Sequence, residues 1–154
     1  MMHRLLLAVL LAAACGGGPN VLDGSIAQSH DLSFDTVELR YLSDQSVYQR
    51  SDFKDLDEEG TSTDTVAKVT FHEPAGGVIV DQLIDLLTPQ SEGRVERITA
   101  HNDPFPADLA TASVTFRSPP VVDEIVSGEF AVTFSNGKTL NGAFQTKLAQ
   151  ASFQ

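Results

Sequence analysis

The spacing of hydrophobic residues changes after residue 15 and divides the chain into two parts. Leu5 to Ala14 is an unbroken apolar run. From residue 21 onwards, apolar and polar residues alternate with a period of two in many short segments, for example in Thr65–Glu73 and Ala110–Arg117. This period is typical of β-strands that bury one face. The pattern therefore predicts a single β domain over residues 21–154.

The alternating part of the chain contains about eight or nine short strand candidates. Strands of this number and length predict an all-β fold, either an antiparallel β-sandwich or a small barrel, and the sequence does not choose between the two. The apolar positions change parity at Asp35-Thr36, between Leu32–Phe34 and Val37–Tyr41. A change of parity predicts a bulge or a bend in the strand at that point.

The last hairpin, residues 124–148, is the segment with the clearest pairing. A two-residue turn at Asn136-Gly137 would place the apolar rows of the two strands on opposite faces of the sheet. A three-residue loop, 135–137, instead pairs Val132 with Leu140 and buries both rows together. It also sets Phe130 opposite Gly142 and Gly128 opposite Phe144, so that each large ring faces a glycine. We therefore predict the three-residue loop, with Gly137 in the left-handed conformation.

Two segments do not follow the alternating pattern. Ser51–Asp64 is polar and acidic, which favours a mobile loop or a single helical turn capped by Ser51. Val78–Leu87 has apolar residues at helical spacing, but it follows Gly76-Gly77 and opens with Val and Ile. For this second segment we expect a short strand followed by an irregular stretch.

The apolar run near the start has the three-part organisation of a secretory signal peptide. Arg4 precedes the run, small residues end it, and Cys15 follows. Ten helical residues extend only about 15 Å, half the thickness of the hydrocarbon core of a bilayer, so the run is too short to span a membrane. Gly16–Gly18 and Pro19 then read as a tether, since such a sequence continues neither a helix nor a strand.

Ala12-Ala13-Ala14-Cys15 resembles the processing site of bacterial lipoproteins. The resemblance covers about the first twenty residues; Leu11 lies one place earlier than the leucine of the family. It implies cleavage after Ala14, acyl chains on Cys15, and a tether over residues 15–20. Because Gly16 stands where an aspartate often retains such proteins at the inner membrane, the resemblance favours the outer membrane. The alternative is ordinary secretory cleavage after Ala14, which would leave Cys15 as a free thiol.

The charge of the chain limits its partners. Without residues 1–14, the chain has nine basic and 21 acidic residues, a net charge of −12. Such a surface repels phosphate backbones, so we expect no nucleic-acid partner. Cys15 is the only cysteine, so the domain must be stabilised by burial and not by disulfides.

No segment carries a recognisable catalytic, cofactor or metal motif. Asp55, Asp57 and Glu59, followed by Gly60, faintly resemble a calcium loop, but Val66 occupies the position of the bidentate acid, which excludes an EF-hand. A solvated run of charges over 52–59 is the favoured interpretation, and an irregular calcium site built from these oxygens is the alternative. His30, His72 and His101 lack zinc spacing, and no nucleophile motif is present. We therefore expect no catalytic residues, no cofactor and no metal site.

These observations favour a membrane-anchored, non-enzymatic β domain with a structural or binding role in the cell envelope. The loops Ser51–Asp64 and His101–Ala107 are then the places where we expect binding residues. A carrier of a small hydrophobic ligand in a barrel lumen is the alternative, and it requires a cavity of several hundred Å³. A hydrolase with an unrecognised site is the third hypothesis, and it requires a histidine or acid within reach of a nucleophile.

Overall fold

The structure is a computed structural model that describes residues 19–42 and 48–151. The described chain is almost entirely β-structure, as predicted, with one 3₁₀-helix at Ser25–Gln28. Its strands are β1 Val21–Asp23, β2 Thr36–Leu42, β3 Tyr48–Leu56, β4 Ser62–His72, β5 Leu83–Asp85, β6 Arg94–Ile98, β7 Leu109–Phe116, β8 Ile125–Phe134 and β9 Thr139–Ala151.

The strands form one curled sheet that closes into a half-barrel. Their order is β5-β7-β8-β9-β2-β3-β4-β6, and β1 pairs separately with β9. Neighbouring strands are antiparallel except β2 and β9, which run parallel, so the sheet is mixed. The parallel pair joins the two halves of the sheet, because β9 pairs with β8 through Lys147 and then with β2 from Leu148 onwards.

The core lies between the two halves. Phe53 of β3 contacts Phe130 of β8 with ring centroids 5.8 Å apart, and Phe71 of β4 lies 6.3 Å from Phe116 of β7. Phe116 in turn packs edge-on against Phe144. These rings cross the space between the halves, so the inward rows predicted from the alternation pack against one another.

The register of the β8–β9 hairpin is the predicted one. Val132 pairs with Leu140, Phe130 with Gly142 and Gly128 with Phe144. The amide of Phe134 donates to the carbonyl of Lys138, and the three residues between them form the loop. Gly137 has φ 82°, in the left-handed region. Burial of both apolar rows therefore selected the three-residue loop.

The prediction of a loop or helical turn over 51–64 is wrong. This segment forms the end of β3, a turn around Gly60, and the start of β4. Phe53 is fully buried, and the charged neighbours gain partners across the sheet: Asp52 lies opposite Lys68, and Lys54 contacts Glu38 at 2.9 Å. Pairing with both adjacent strands outweighs the low strand propensity of the acidic residues.

Two further local predictions agree with the structure only in part. In 78–87 an irregular stretch comes first, β5 follows at Leu83–Asp85, and a turn occupies 86–87. Ile84 and Leu86 are buried, which fixes the alternation there. At Asp35 the chain bends, as one of the two predicted alternatives, and β2 then begins at Thr36 with no bulge in its pairing with β3. Leu32 and Phe34 precede the strand and pack against the core from a loop.

The turn between β5 and β6 crosses the gap between the two edges of the sheet. The amide of Leu86 donates to Ala112 beside β5, and the amide of Gly93 donates to Leu86. The amide of His72 at the end of β4 donates to Ser91. Edge strands expose unpaired backbone groups, and covering them with a turn satisfies part of this edge.

Candidate functional surfaces

Ala14 and Cys15, the predicted cleavage and lipidation residues, lie outside the described residues. The described chain begins at Pro19, immediately before β1. The side-chain oxygen of Asn20 accepts a 2.6 Å hydrogen bond from the amide of Gln145 on β9. The end of the predicted tether is therefore attached to the sheet at a defined point.

An open groove, here called the outer groove, lies on the outward face of β7, β8 and β9. Its volume is about 400 Å³. The floor consists of short side chains at alternate positions of these strands, including Ser113, Thr115, Ala131 and Ala143. Val21 of β1 lines one side, and Leu83 of β5 also lines the groove. The groove forms because small outward residues stand between two flanking strands that carry larger ones.

The charges around the outer groove are partly paired. Arg117 binds Asp81 at 2.8 Å and Glu129 at 2.6 Å. The hydrogen bonds to Asp81 and to Glu129 raise the pKa of Arg117 above its usual value. Glu129 and Asp23 also line the groove. The groove thus combines an apolar flank with two carboxylates, those of Asp23 and Glu129, and Glu129 shares the guanidinium of Arg117 with Asp81 outside the lining.

A second surface cavity of about 280 Å³ adjoins the same strand. It is lined largely by apolar atoms of the turn before β5, including Pro74, Ala75 and Ile79. Leu83 lines this cavity as well as the outer groove. Ile79 and Leu83 are each 61% exposed, which is high for large aliphatic side chains. Leu83 therefore contributes to the walls of both cavities.

The loop that contains His101–Ala107 is held by Arg97 of β6. The Arg97 side chain is only 6% exposed, and its guanidinium donates to Asp103 and to the carbonyl of Asp31 at 2.7 Å. It also lies over the ring of Phe105, 5.8 Å from the centroid. The hydrogen bond from the Thr99 hydroxyl, followed by that from Arg97, lowers the pKa of Asp103 to about 2. Arg97 therefore fixes a loop that the sequence left without a defined shape.

A third groove, of about 340 Å³, runs between β6 and this loop. Arg94, Ile98, Phe105 and Leu109 contribute to its lining. It borders the edge of β6 that does not face β4. The charged residues Arg94 and Glu96 stand on this edge strand, an arrangement that commonly prevents pairing with other chains.

The histidines lie in different settings. His72 Nε2 is 3.4 Å from a carboxylate oxygen of Glu92, and His101 is exposed in its loop. His30 Nε2 is 3.2 Å from the carbonyl oxygen of Pro104, and its ring packs against Phe105. Within residues 19–42 and 48–151, no three histidine, cysteine or acidic side chains are grouped so that they could hold a metal ion.

The hydroxyl of Ser29 lies within hydrogen-bond distance of a histidine ring. Its Oγ lies 2.9 Å from His30 Nδ1, and Lys138 Nζ donates to the same oxygen at 3.0 Å. Because a carbonyl accepts at His30 Nε2, the other ring nitrogen is the acceptor for the serine hydroxyl when the ring is neutral. Ser29 is exposed, and it does not line any of the three grooves described above. Sequence analysis did not single out this pair.

Asp55 and Asp57 of the β3–β4 hairpin have partners within the hairpin and its neighbours. Asp57 Oδ1 accepts from the amide of Thr61 and closes the turn. Asp55 stands opposite Asp64. Hydrogen bonding with Asp35, followed by burial and the charge of Asp35, raises the pKa of Asp55. These carboxylates organise a turn and a strand pair.

The position required for a ligand in a lumen is occupied by aromatic rings. Phe53, Phe116 and Phe144 are almost completely buried and pack against one another or against rings of the facing strands. The three cavities described above are all open grooves at the surface. Binding in the interior would require these rings to move apart.

Comparisons with known proteins found no relative of this chain. No protein-family description, curated protein or solved structure matches the chain. Among the described residues, no helix has the length and apolar character needed to cross a bilayer.

The sequence predicted the loop conformation of one of the two segments proposed for binding and did not predict the outer groove. His101–Ala107 is a loop, as expected, whereas Ser51–Asp64 is mostly strand. The groove depends on which outward positions become neighbours when β1 and β5 flank β7–β9. The only local signal was the pair of small outward residues in β7, Ser113 and Thr115. Without the strand order, this pair does not indicate a groove.

Proposed function

We propose that this protein is a lipid-anchored module of a bacterial cell envelope, held at the membrane by acyl chains on Cys15, with a non-enzymatic structural or binding role. The observation that carries the proposal is Ala14-Cys15 with its preceding apolar run, followed after only a few residues by a segment attached to the sheet. A single acyl chain binds a membrane weakly and reversibly, whereas two or three chains anchor a protein stably.

The deciding experiment is mass spectrometry of the amino-terminal peptide from membranes of cells that express the whole chain. We expect cleavage before Cys15 and a mass increase that corresponds to two or three acyl chains. The Cys15→Ala variant should lose the modification and leave the membrane fraction, while Gly17→Ala, which retains the cysteine, should behave as wild type. A mature protein with an unmodified Cys15 would support ordinary secretion and disprove the anchor.

The second position of the mature chain tests the location. By resemblance to bacterial lipoproteins, Gly16 favours the outer membrane in a cell that has two membranes. We expect Gly16→Asp to shift the protein towards the inner membrane on a density gradient. If wild type and variant sediment together in the inner-membrane fraction, the proposed location is wrong, although the anchor would stand.

Ser29 provides the sharpest test of the non-enzymatic role. An active serine next to a base reacts with fluorophosphonate probes, because these trap the nucleophile covalently. We expect no labelling of the purified protein above that of Ser29→Ala. Labelling that is lost in both Ser29→Ala and His30→Ala would replace the proposed role with that of a hydrolase.

A further inference from the structure

One side of the molecule carries exposed aliphatic side chains together with the point where the predicted tether ends. Val21 is 44% exposed, and Ile79 and Leu83 are each 61% exposed. Val21 and Leu83 both line the outer groove, and Ile79 shares the adjoining cavity with Leu83. We call this surface the groove face; it comprises these three residues and the outer groove.

The tether is too short to let the groove face turn far from a membrane. Only five residues lie between Cys15 and Val21, so six Cα–Cα steps join the two. A fully extended chain of this length spans at most about 20 Å. Asn20 is hydrogen-bonded to Gln145 of β9, so the tether extends from a fixed point beside the groove. The acyl chains must therefore enter the bilayer close to Val21.

We propose that the groove face rests on the lipid surface, with Val21, Ile79 and Leu83 at the boundary between headgroups and acyl chains. This inference rests on the proposed lipid anchor and adds the orientation of the domain and its second membrane contact. Exposed aliphatic side chains around a groove mark surfaces that contact a partner. Here the short tether identifies the partner as the bilayer itself.

The charges of the groove face restrict the type of lipid. Asp23 and Asp85 add negative charge near the groove, whereas Asp81 and Glu129 share Arg117. Carboxylates are repelled by anionic headgroups, while zwitterionic headgroups carry no net charge. The surface therefore fits a zwitterionic lipid better than an anionic one, and the test uses phosphatidylcholine.

The chain has no tryptophan, so one introduced tryptophan reports only on its own position. Leu83→Trp places the probe on the groove face. Ile98→Trp is the matched control, because Ile98 is similarly exposed, at 56%, but lies on the other half of the sheet. The mature forms of both variants, purified from cells that express the whole chain, are reconstituted in phosphatidylcholine vesicles with brominated acyl chains, and quenching of fluorescence is measured.

We expect quenching at position 83 to be at least about twofold that at position 98, since interfacial side chains lie within about 5–10 Å of the acyl boundary. Equal quenching, or stronger quenching at position 98, would overturn the inference. Ile79→Trp repeats the measurement if Leu83→Trp folds poorly. Flotation with the vesicles is measured in parallel. Lipidated protein that floats without selective quenching disproves the orientation alone, whereas protein that does not float disproves the anchor.

Discussion

At the residue scale, the core depends on glycines that face aromatic rings. A methyl group added at Gly142 would overlap the ring of Phe130, and one added at Gly128 would meet both Phe144 and the carbonyl of Thr115. Gly137 differs, because a methyl group there would meet nothing, but its φ of 82° is unfavourable for other residues. The β8–β9 hairpin thus contains glycines required for two distinct reasons.

Gly142→Ala and Gly137→Ala should separate these two reasons. We expect Gly142→Ala to lower the free energy of unfolding by about 1–3 kcal/mol through overpacking. Gly137→Ala should lower it by about 1–2 kcal/mol through backbone conformation. Urea denaturation of both variants, each also combined with Phe130→Leu, provides the measurement. The smaller leucine side chain should relieve only Gly142→Ala; equal, additive effects in both pairs would contradict the packing explanation.

Protonation of Asp103 makes the stability of the loop that Arg97 holds depend on pH. Its pKa in the folded protein is about 2, lowered from 3.8 by hydrogen bonds from Thr99 and Arg97. A carboxyl group whose pKa is depressed on folding contributes stability above its unfolded pKa, and this stability is lost as the pH falls through the folded value. The relevant window therefore lies between about pH 4 and pH 2.

We expect the midpoint of thermal unfolding of Asp103→Asn to change less with pH in this window than that of wild type, because the variant has no carboxyl group to protonate at this position. Asp108→Asn, which changes an exposed carboxyl of the same loop, is the control and should retain the wild-type slope. Thermal unfolding followed at pH 4, 3 and 2 measures the effect. An Asp103→Asn curve that remains parallel to wild type would show that the ion pair does not contribute to acid stability.

At the element scale, β9 connects the two halves of the sheet. Leu148 is buried, and it begins the parallel pairing with Leu39 of β2. Its amide donates to the carbonyl of Glu124, and its carbonyl accepts from the amide of Asp123. The hydroxyl of Thr146 donates to the carbonyl of Val37 on the other side. Both halves are therefore bonded to the same three-residue stretch.

Leu148→Ala should destabilise the protein by about 2–5 kcal/mol, as expected for a large side chain removed from a core. Lys147→Ala, one residue earlier, removes only an exposed ion pair with Asp123 and should cost less than about 1 kcal/mol. Chemical denaturation of the two variants gives the comparison. A similar, small loss for both would mean that the junction contributes little to stability.

The β3–β4 hairpin shows where the element-scale prediction failed. Its residues alternate weakly, and its acidic residues disfavour strands in isolation. Phe53 is the one buried ring that anchors this part of β3, and Phe34 packs against it from outside the strands, with ring centroids 4.9 Å apart. Partners such as Lys68 and Glu38 lie far from the hairpin turn in sequence or on another strand, so the local pattern did not contain them.

At the scale of the whole molecule, net charge opposes compactness. The chain from Cys15 onwards carries −12, and the folded state brings these charges together. We expect the midpoint of thermal unfolding to rise when the ionic strength increases from about 0.01 M to about 0.15 M, since the screening length falls from about 30 Å to about 8 Å. Scanning calorimetry measures this change.

The exposed turn of the β3–β4 hairpin offers a matched variant for this measurement. Replacing both Glu58 and Glu59 by lysine makes the net charge less negative by four without touching the core. The rise of the midpoint with salt should then be smaller than in wild type. A midpoint that falls with added salt in wild type would show instead that specific ion pairs such as Arg117–Glu129 dominate over the overall repulsion.

The sequence by itself determined the features that depend on near neighbours along the chain. The period of two fixed the strands of the last hairpin, and the burial of Leu140 with Val132 fixed their register, because a shift by one residue exposes every inward side chain. The apolar run before Cys15 determined the predicted anchor. That anchor remains a prediction outside the described residues.

Only the tertiary structure decided the features that depend on strand order. The parallel pairing of β2 with β9 joins residues separated by more than one hundred positions, and no local period encodes it. The same arrangement sets Val21 and Leu83 around one groove and brings Arg97 to Asp31. Alternation specifies which face a side chain occupies, whereas packing of the two halves of the sheet specifies its neighbours.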